Sequence, residues 1–198
     1  LKLREMNDVV DLFVIGEADR TFTGKPKEFL LDTQWDRFKP WHDKIRRVKM
    51  ENCPVFDSPW HTEEYQKNAL ARGLYDAEDD DIININDLDE ILRPVAVRIA
   101  TNILTTDTNC DVVGFTLPLF NLKLNYFSKS SADEIWSTSC KYSLIKNGSV
   151  MEDIRSLRIS NEFWDSGHGS VIGNAGWHFS WMGDDETILN KLSSFSHT

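Results

Sequence analysis

The sequence predicts an α/β fold with a mainly parallel central sheet flanked by helices. Two observations carry this expectation. Strand-like and helix-like segments alternate through the first half with short connections, and the strand-like segments include apolar runs that suit strands buried on both faces. At 198 residues the chain is long enough for one domain with a substantial core and short for two.

Val9 to Ile15 is an almost continuous apolar run ending at Gly16-Glu17, and it predicts the first strand. Lys44 to Met50, rich in β-branched residues and mixed charge, predicts the second. Ser58 is a helix N-cap with Pro59 at the first helical position, where its missing N–H has no role, and Gly73 is a stop. Asp81 to Asn86 is the third strand, and Pro94 opens a helix running to about Thr105. The second half is less regular. Val112 to Tyr126 reads as a strand, a bend at Pro118 and another strand, with further strands at Trp136 to Leu144 and Val171 to Met182. Ile188, Leu189, Leu192 and Phe195 share one face of a closing amphipathic helix.

Composition narrows the function. A net charge of −10 argues against nucleic acid as partner, because the phosphate backbone is bound by clustered Lys and Arg. An acidic chain still binds an anionic nucleotide when a divalent cation bridges the two. No apolar run is long enough to cross a bilayer, so membrane association is not visible, and no signal-peptide pattern opens the chain. Three separated cysteines, Cys53, Cys110 and Cys140, form neither a disulfide scaffold nor a zinc site and point to a reducing compartment. One glycosylation sequon, Asn147-Gly148-Ser149, is of a kind that occurs easily by chance.

The most informative segment runs from Asp79 to Glu90, where a buried strand leads into Asp87-Leu88-Asp89-Glu90. In open α/β sheets ligands bind just beyond the carboxyl ends of the strands. In extended chain, residues i and i+2 project to one side, so Asp87 and Asp89 face one ion while Leu88 packs inward. Mn²⁺ or Mg²⁺ takes one or two carboxylates and completes its shell with water and phosphate oxygens, so such a pair holds a nucleotide diphosphate. The plain alternative is a solvated acidic turn, and the Asp79–Asp81 run is read as that. An EF-hand lacks its central Gly and ligand spacing here.

Around this pair, Asn68 and Arg72 lie one helical turn apart, with Arg72 placed for a phosphate or a strand-end carboxylate or simply at the surface. Thr21, Thr23, Gly24 and Lys25 form a loop suited to close backbone approach and hydrogen bonding to a nucleotide. Glu17 is read as a ribose or base contact, or as a loop cap. In Gly176-Trp177-His178-Phe179-Ser180-Trp181, a strand turns Trp177, Phe179 and Trp181 to one face as a packing wall or sugar platform. His178 then points the other way, as a metal ligand or a core histidine. Asp184, Asp185 and Glu186 open the last helix, where acids are favoured by capping and the helix dipole. One of these three is also read as the general base that deprotonates an acceptor hydroxyl, with Asp185 narrowly ahead of Asp184 and Glu186.

The segments Phe22-Thr23-Gly24-Lys25-Pro26-Lys27, Asp87-Leu88-Asp89-Glu90-Ile91, Gly176-Trp177-His178-Phe179-Ser180-Trp181 and the ending from Lys191 to Thr198 resemble glycosyltransferase family 17. Its best-known members are β-1,4-mannosyl-glycoprotein β-1,4-N-acetylglucosaminyltransferases. The resemblance spans almost the whole chain. It implies a GT-A-type fold, a UDP-sugar donor with GlcNAc favoured, a divalent metal, a glycan acceptor and inversion at the anomeric carbon. It carries Asp87 and Asp89 over as the metal and diphosphate motif. The chain then reads as one catalytic domain, with residues 1–106 as the nucleotide-sugar-binding half and 107–198 as the acceptor side. Being short, acidic and without a visible Golgi anchor suggests a microbial or viral relative in the cytoplasm; a eukaryotic member would work in the Golgi lumen. Starting at Leu1 and stopping inside the last motif, the chain is expected to have neighbours beyond both ends. The competing functions are a non-catalytic carbohydrate-binding domain, which needs no nucleotide, and a metal-dependent nucleotide-sugar hydrolase, which needs no acceptor.

Overall fold

The computed structural model describes residues 1–129, 131–146 and 150–194. The Asn147-Gly148-Ser149 sequon, Phe195 and the rest of the ending to Thr198 lie outside the described residues. The chain opens with α1 (Lys2–Met6), β1 (Phe13–Ala18), α2 (Leu30–Gln34), a 3₁₀ stretch (Trp35–Lys44), β2 (Ile45–Met50), α3 (Pro59–Asn68) and a second 3₁₀ stretch (Ala69–Leu74). It continues with β3 (Ile82–Ile85), β4 (Glu90–Leu92), α4 (Pro94–Thr106), β5 (Val112–Thr116), β6 (Leu119–Asn121), β7 (Phe127–Ser128) and β8 (Ile135–Lys141). The last part holds α5 (Tyr142–Lys146), α6 (Met151–Ser156), a 3₁₀ turn (Leu157–Ile159), α7 (Asn161–Asp165), β9 (Gly169–Ile172), β10 (Gly176–Ser180) and α8 (Asp185–Leu192). Two compact units form from these, residues 1–10 with 76–182 and residues 11–75 with 183–198.

In the unit of residues 11–75 and 183–198, β1 and β2 pair in parallel, from Phe13 opposite Ile45 to Ala18 opposite Met50. The first strand starts later than the apolar run from Val9 suggests, because the Val9 N–H is taken by the Met6 carbonyl at 3.1 Å in the turn after α1. Pro59 opens α3 as expected, with Ser58 at the N-cap position but its side chain making no capping bond. Gly73 does not stop that helix but lies inside the following 3₁₀ stretch, where a Cβ would come within 2.4 Å of Val14 Cγ1. A glycine therefore lets the stretch press onto β1. Ala18, Met50, Cys53 and Ala69 pack together, with Tyr65 against them. Asp19 fixes the exit from β2, its carboxylate accepting the Asn52 and Cys53 N–H groups at 2.7 and 3.0 Å. These bonds, that of Cys53 foremost, hold its carboxyl below the usual aspartate range.

The other unit holds two sheets, ordered β3-β8-β5-β9 and β4-β10-β6-β7. Here the expectation of a mainly parallel sheet is corrected. β3–β8, β5–β8, β4–β10 and β6–β7 are antiparallel, while β5–β9, β6–β10 and, in the first unit, β1–β2 are parallel. The class is mixed α/β. An apolar run reports burial on both faces, as in β5, where Val112, Val113 and Phe115 are fully buried, and burial does not set strand direction.

Pro94 starts α4 as read from the sequence, and Ala96, Val97, Ala100 and Leu104 form its buried face. The strand expected at Trp136 to Leu144 gives way at Tyr142 to α5, whose first N–H donates to the Asp81 carbonyl at 2.8 Å. Lys141 and Lys146 pair with Asp80 and Asp79 at the exposed entry to β3, the plain role assigned to that acidic run. The segment Val171 to Met182 splits into β9 and β10 at Asn174, whose φ is 51°. It ends before Trp181, which turns out of the strand with φ 56°. Cys53, Cys110 and Cys140 are buried and free. Among the described residues no helix is long and apolar enough to cross a membrane.

Candidate functional site

The acidic segment after β3 is a closed turn. The Glu90 N–H donates to the Asp87 carbonyl at 3.1 Å, and the Asp87 N–H donates to Glu90 Oε2 at 2.9 Å. Extended geometry therefore does not apply to Asp87-Leu88-Asp89, and Leu88 sits at the tip 80% exposed rather than packing inward. The two carboxylates separate into two environments.

Asp87 Oδ2 accepts from Arg155 Nη2, and the same nitrogen lies 3.2 Å from Glu90 Oε1. Arg155 is buried on α6 beside Met151 and Ile154. Glu90 opens β4 with no exposed surface and also accepts the Ser137 hydroxyl at 2.9 Å. Burial, and then the neighbouring Asp87, push its carboxyl well above the ordinary range, while Arg155 pulls the other way. From α1, Lys2 Nζ donates to Asn86 Oδ1 at 2.6 Å and to the Asp87 carbonyl at 2.8 Å. Burial lowers its ammonium below the ordinary lysine value, against the pull of Glu90, Asp87 and Asp89. Glu90, Arg155 and Lys2 were not anticipated. The signal for Arg155 was present in the sequence, since Met151, Ile154 and Arg155 fall at i, i+3 and i+4 on one face.

Asp89 is placed by β10. Its carbonyl accepts the Phe179 N–H at 3.0 Å, and its Oδ1 lies 3.7 Å from His178 Nε2. His178 is buried, stands opposite Glu90 in the β4–β10 ladder, and meets the Trp136 ring edge-on at 4.3 Å. Gly176 permits this approach, because a Cβ there would lie 2.0 Å from the Ile91 carbonyl oxygen. The neighbouring aromatics serve packing. Arg93 covers the Trp177 ring at 4.1 Å, and Phe179 packs on Phe120 at 5.8 Å.

Among the described residues no three His, Cys, Asp or Glu side chains gather closely enough to hold a metal ion by themselves. The donor chemistry nonetheless fits Mn²⁺ or Mg²⁺, which need one or two carboxylates and take their remaining oxygens from water and phosphate. The Asp87 and Asp89 side chains keep 41% and 31% of their surface open for that purpose.

The remaining residues singled out from the sequence belong to the other unit. Glu17 accepts the Leu31 N–H at 3.2 Å, at the start of α2, and lies 3.7 Å from Arg47. Thr21 to Lys25 is a turn closed on itself, with Gly24 at φ 82° and the Lys25 N–H on Thr21 Oγ1 at 3.0 Å. Thr23 Oγ1 donates to the Ser193 carbonyl at 3.3 Å. The Lys25 side chain is exposed. α3 ends at Asn68, so Arg72 lies in the 3₁₀ stretch and not one α-turn further along; its guanidinium donates to the Tyr65 hydroxyl at 3.1 Å. Asp184 is the N-cap of α8, accepting from the Thr187 N–H and hydroxyl at 2.9 and 2.6 Å, which lowers its carboxyl below the usual range. Asp185, the first helical residue, is exposed.

Residues 1–198 match the family model described as Glycosyltransferase family 17. No curated protein matches the chain.

Proposed function

The chain belongs to glycosyltransferase family 17 and is a glycosyltransferase, and from that premise we propose that it transfers a sugar from a UDP-sugar to a glycan hydroxyl with the help of a divalent cation. GlcNAc is the sugar favoured, with inversion at the anomeric carbon and a GT-A-type organisation. The observation that carries the reading is the tight turn after β3, where Asp87 and Asp89 stay partly open while buried Arg155 and Glu90 hold the turn from beneath.

Asp87 and Asp89 would hold Mn²⁺ or Mg²⁺, with His178, the further ligand read from the sequence, supporting Asp89 from 3.7 Å. When bound, the cation neutralises the charge that develops on the departing diphosphate. Arg155 pairs with Asp87, and Asp89 is placed by the Phe179 N–H on its backbone carbonyl and by His178 beside its carboxylate. Glu17, Thr23, Lys25 and Arg72 are assigned to nucleotide recognition. Asp185 takes the proton from the acceptor hydroxyl as its oxygen attacks the anomeric carbon. The bond from that carbon to the phosphate oxygen breaks on the opposite face, and its electron pair leaves with UDP. Exposure at a helix start suits Asp185 for this task, since Asp184 is occupied as the cap.

The experiment is thermal stabilisation by a panel of UDP-sugars with and without Mn²⁺. UDP-GlcNAc with Mn²⁺ should raise Tm by several degrees, as expected when a ligand binds only the folded state. Equal stabilisation in EDTA would remove the cation from the account. No stabilisation by any UDP-sugar would remove the donor class.

A further inference from the structure

Arg155, Glu90 and Asp87 form a shared ion pair of a particular kind. One guanidinium nitrogen serves both acids, lying 3.2 Å from Glu90 Oε1 while it also donates to Asp87 Oδ2. Exposure separates the three groups. Glu90 has 0% and Arg155 4% of their surface open, whereas the Asp87 side chain keeps 41%. Only Asp87 can meet an incoming cation. Glu90 is also fixed in place, because Oε2 accepts the Ser137 hydroxyl and the Asp87 N–H, both at 2.9 Å, leaving Oε1 toward Arg155.

A divalent cation arriving at Asp87 competes with Arg155 for the same carboxylate. A buried guanidinium that lost its partner would be costly, since a buried charge needs a paired one. Glu90 Oε1 is already within reach to keep it. We propose that Glu90 is a positioning residue for cation binding at Asp87, acting through Arg155: it retains the guanidinium when the cation takes Asp87. This rests on Asp87 and Asp89 being the metal and diphosphate turn. Glu90 itself does not touch the cation; it sets how firmly Arg155 holds Asp87.

The test is the Mn²⁺ concentration at half-maximal UDP binding, followed by calorimetry. Glu90→Gln keeps an acceptor for Ser137 and for the Asp87 N–H but removes one of the acids that hold Arg155. Its Mn²⁺ midpoint should rise by about tenfold or more, because a unit charge a few ångströms away acts at least that strongly where water is excluded. Glu90→Gln with Arg155→Met restores charge balance and should return the midpoint to within a few-fold of wild type. A packing role predicts the reverse, because the second substitution removes still more native contacts. Glu90→Asp keeps the charge and should also stay within a few-fold, which keeps the test open if Glu90→Gln fails to fold. An unchanged midpoint in Glu90→Gln, a double variant worse than the single, or a tenfold loss in Glu90→Asp would overturn the proposal while leaving the metal site standing. Wild-type protein that binds UDP without any Mn²⁺ dependence would overturn both.

Discussion

His178 Nε2 lies 3.7 Å from Asp89 Oδ1, and the same histidine stands directly opposite Glu90 in the β4–β10 ladder. One residue of β10 thus borders both the acid proposed to bind the cation and the acid that holds Arg155. His178→Ala should weaken Mn²⁺-dependent UDP binding by about tenfold, the scale seen when a metal ligand or its supporting partner is removed. A Mn²⁺ titration of UDP binding reads this. An unchanged midpoint would assign His178 to core packing against Trp136.

At Gly176, opposite Leu92, β10 lies close against β4. An alanine Cβ would meet the Ile91 carbonyl oxygen at 2.0 Å, and backbone cannot give way as a side chain can. Gly176→Ala should cost about 1–3 kcal/mol or more of stability, the range for overpacking. It should also weaken Mn²⁺-dependent UDP binding, because Glu90 and His178 are positioned by that ladder. Chemical denaturation together with a UDP titration checks both parts; an alanine variant with wild-type stability would contradict the close approach.

Asp184 and Asp185 adjoin but take different tasks. Asp184 caps α8 through Thr187, so Asp184→Ala should lower Tm with little effect on the rate per folded molecule. Asp185→Asn should keep UDP-sugar affinity and lose about a hundredfold or more in transfer, as expected for a general base. Near-normal transfer by Asp185→Asn would move the base to another residue, with Glu186 the next to test.

Asp19 offers a pH signature. Its carboxyl is depressed by the Cys53 and Asn52 N–H groups, so it contributes stability that is present above the unfolded aspartate value and is lost as pH falls through the folded one. Asp19→Ala should therefore have a lower Tm than wild type at neutral pH. The gap should close as the pH drops below roughly 4, the ordinary aspartate value. A gap that stays constant down to strongly acid pH would mean that the two hydrogen bonds are not what Asp19 contributes.

The features legible in the sequence are those set by local chemistry. Pro59 and Pro94 mark the starts of α3 and α4, and the strand-like segments Lys44 to Met50 and Asp81 to Asn86 mark β2 and β3 closely. The Asp87-Leu88-Asp89 segment stands out because carboxylates directly follow an isoleucine-rich strand. Pairing direction was not legible, since an apolar run like Val112 to Thr116 looks the same in a parallel or an antiparallel ladder. The turn at Asp87 was hidden for a related reason: Asp-Leu-Asp reads equally well as extended chain with both carboxylates on one side, and only the fold shows Glu90 turned inward to Ser137 and Arg155. Arg155 and Lys2 lie 68 and 85 positions from Asp87 along the chain, so nothing in the local pattern connects them to it.

Asp87 and Asp89 are proposed to hold the cation that binds the nucleotide diphosphate. The most direct measurement is calorimetric titration of UDP into wild type, Asp87→Ala and Asp89→Ala, each with Mn²⁺ and with EDTA, alongside thermal melts of the free proteins. Wild type should bind UDP only with Mn²⁺, and each variant should fold but lose the Mn²⁺-dependent binding. Undiminished Mn²⁺-dependent binding by either folded variant would contradict this assignment.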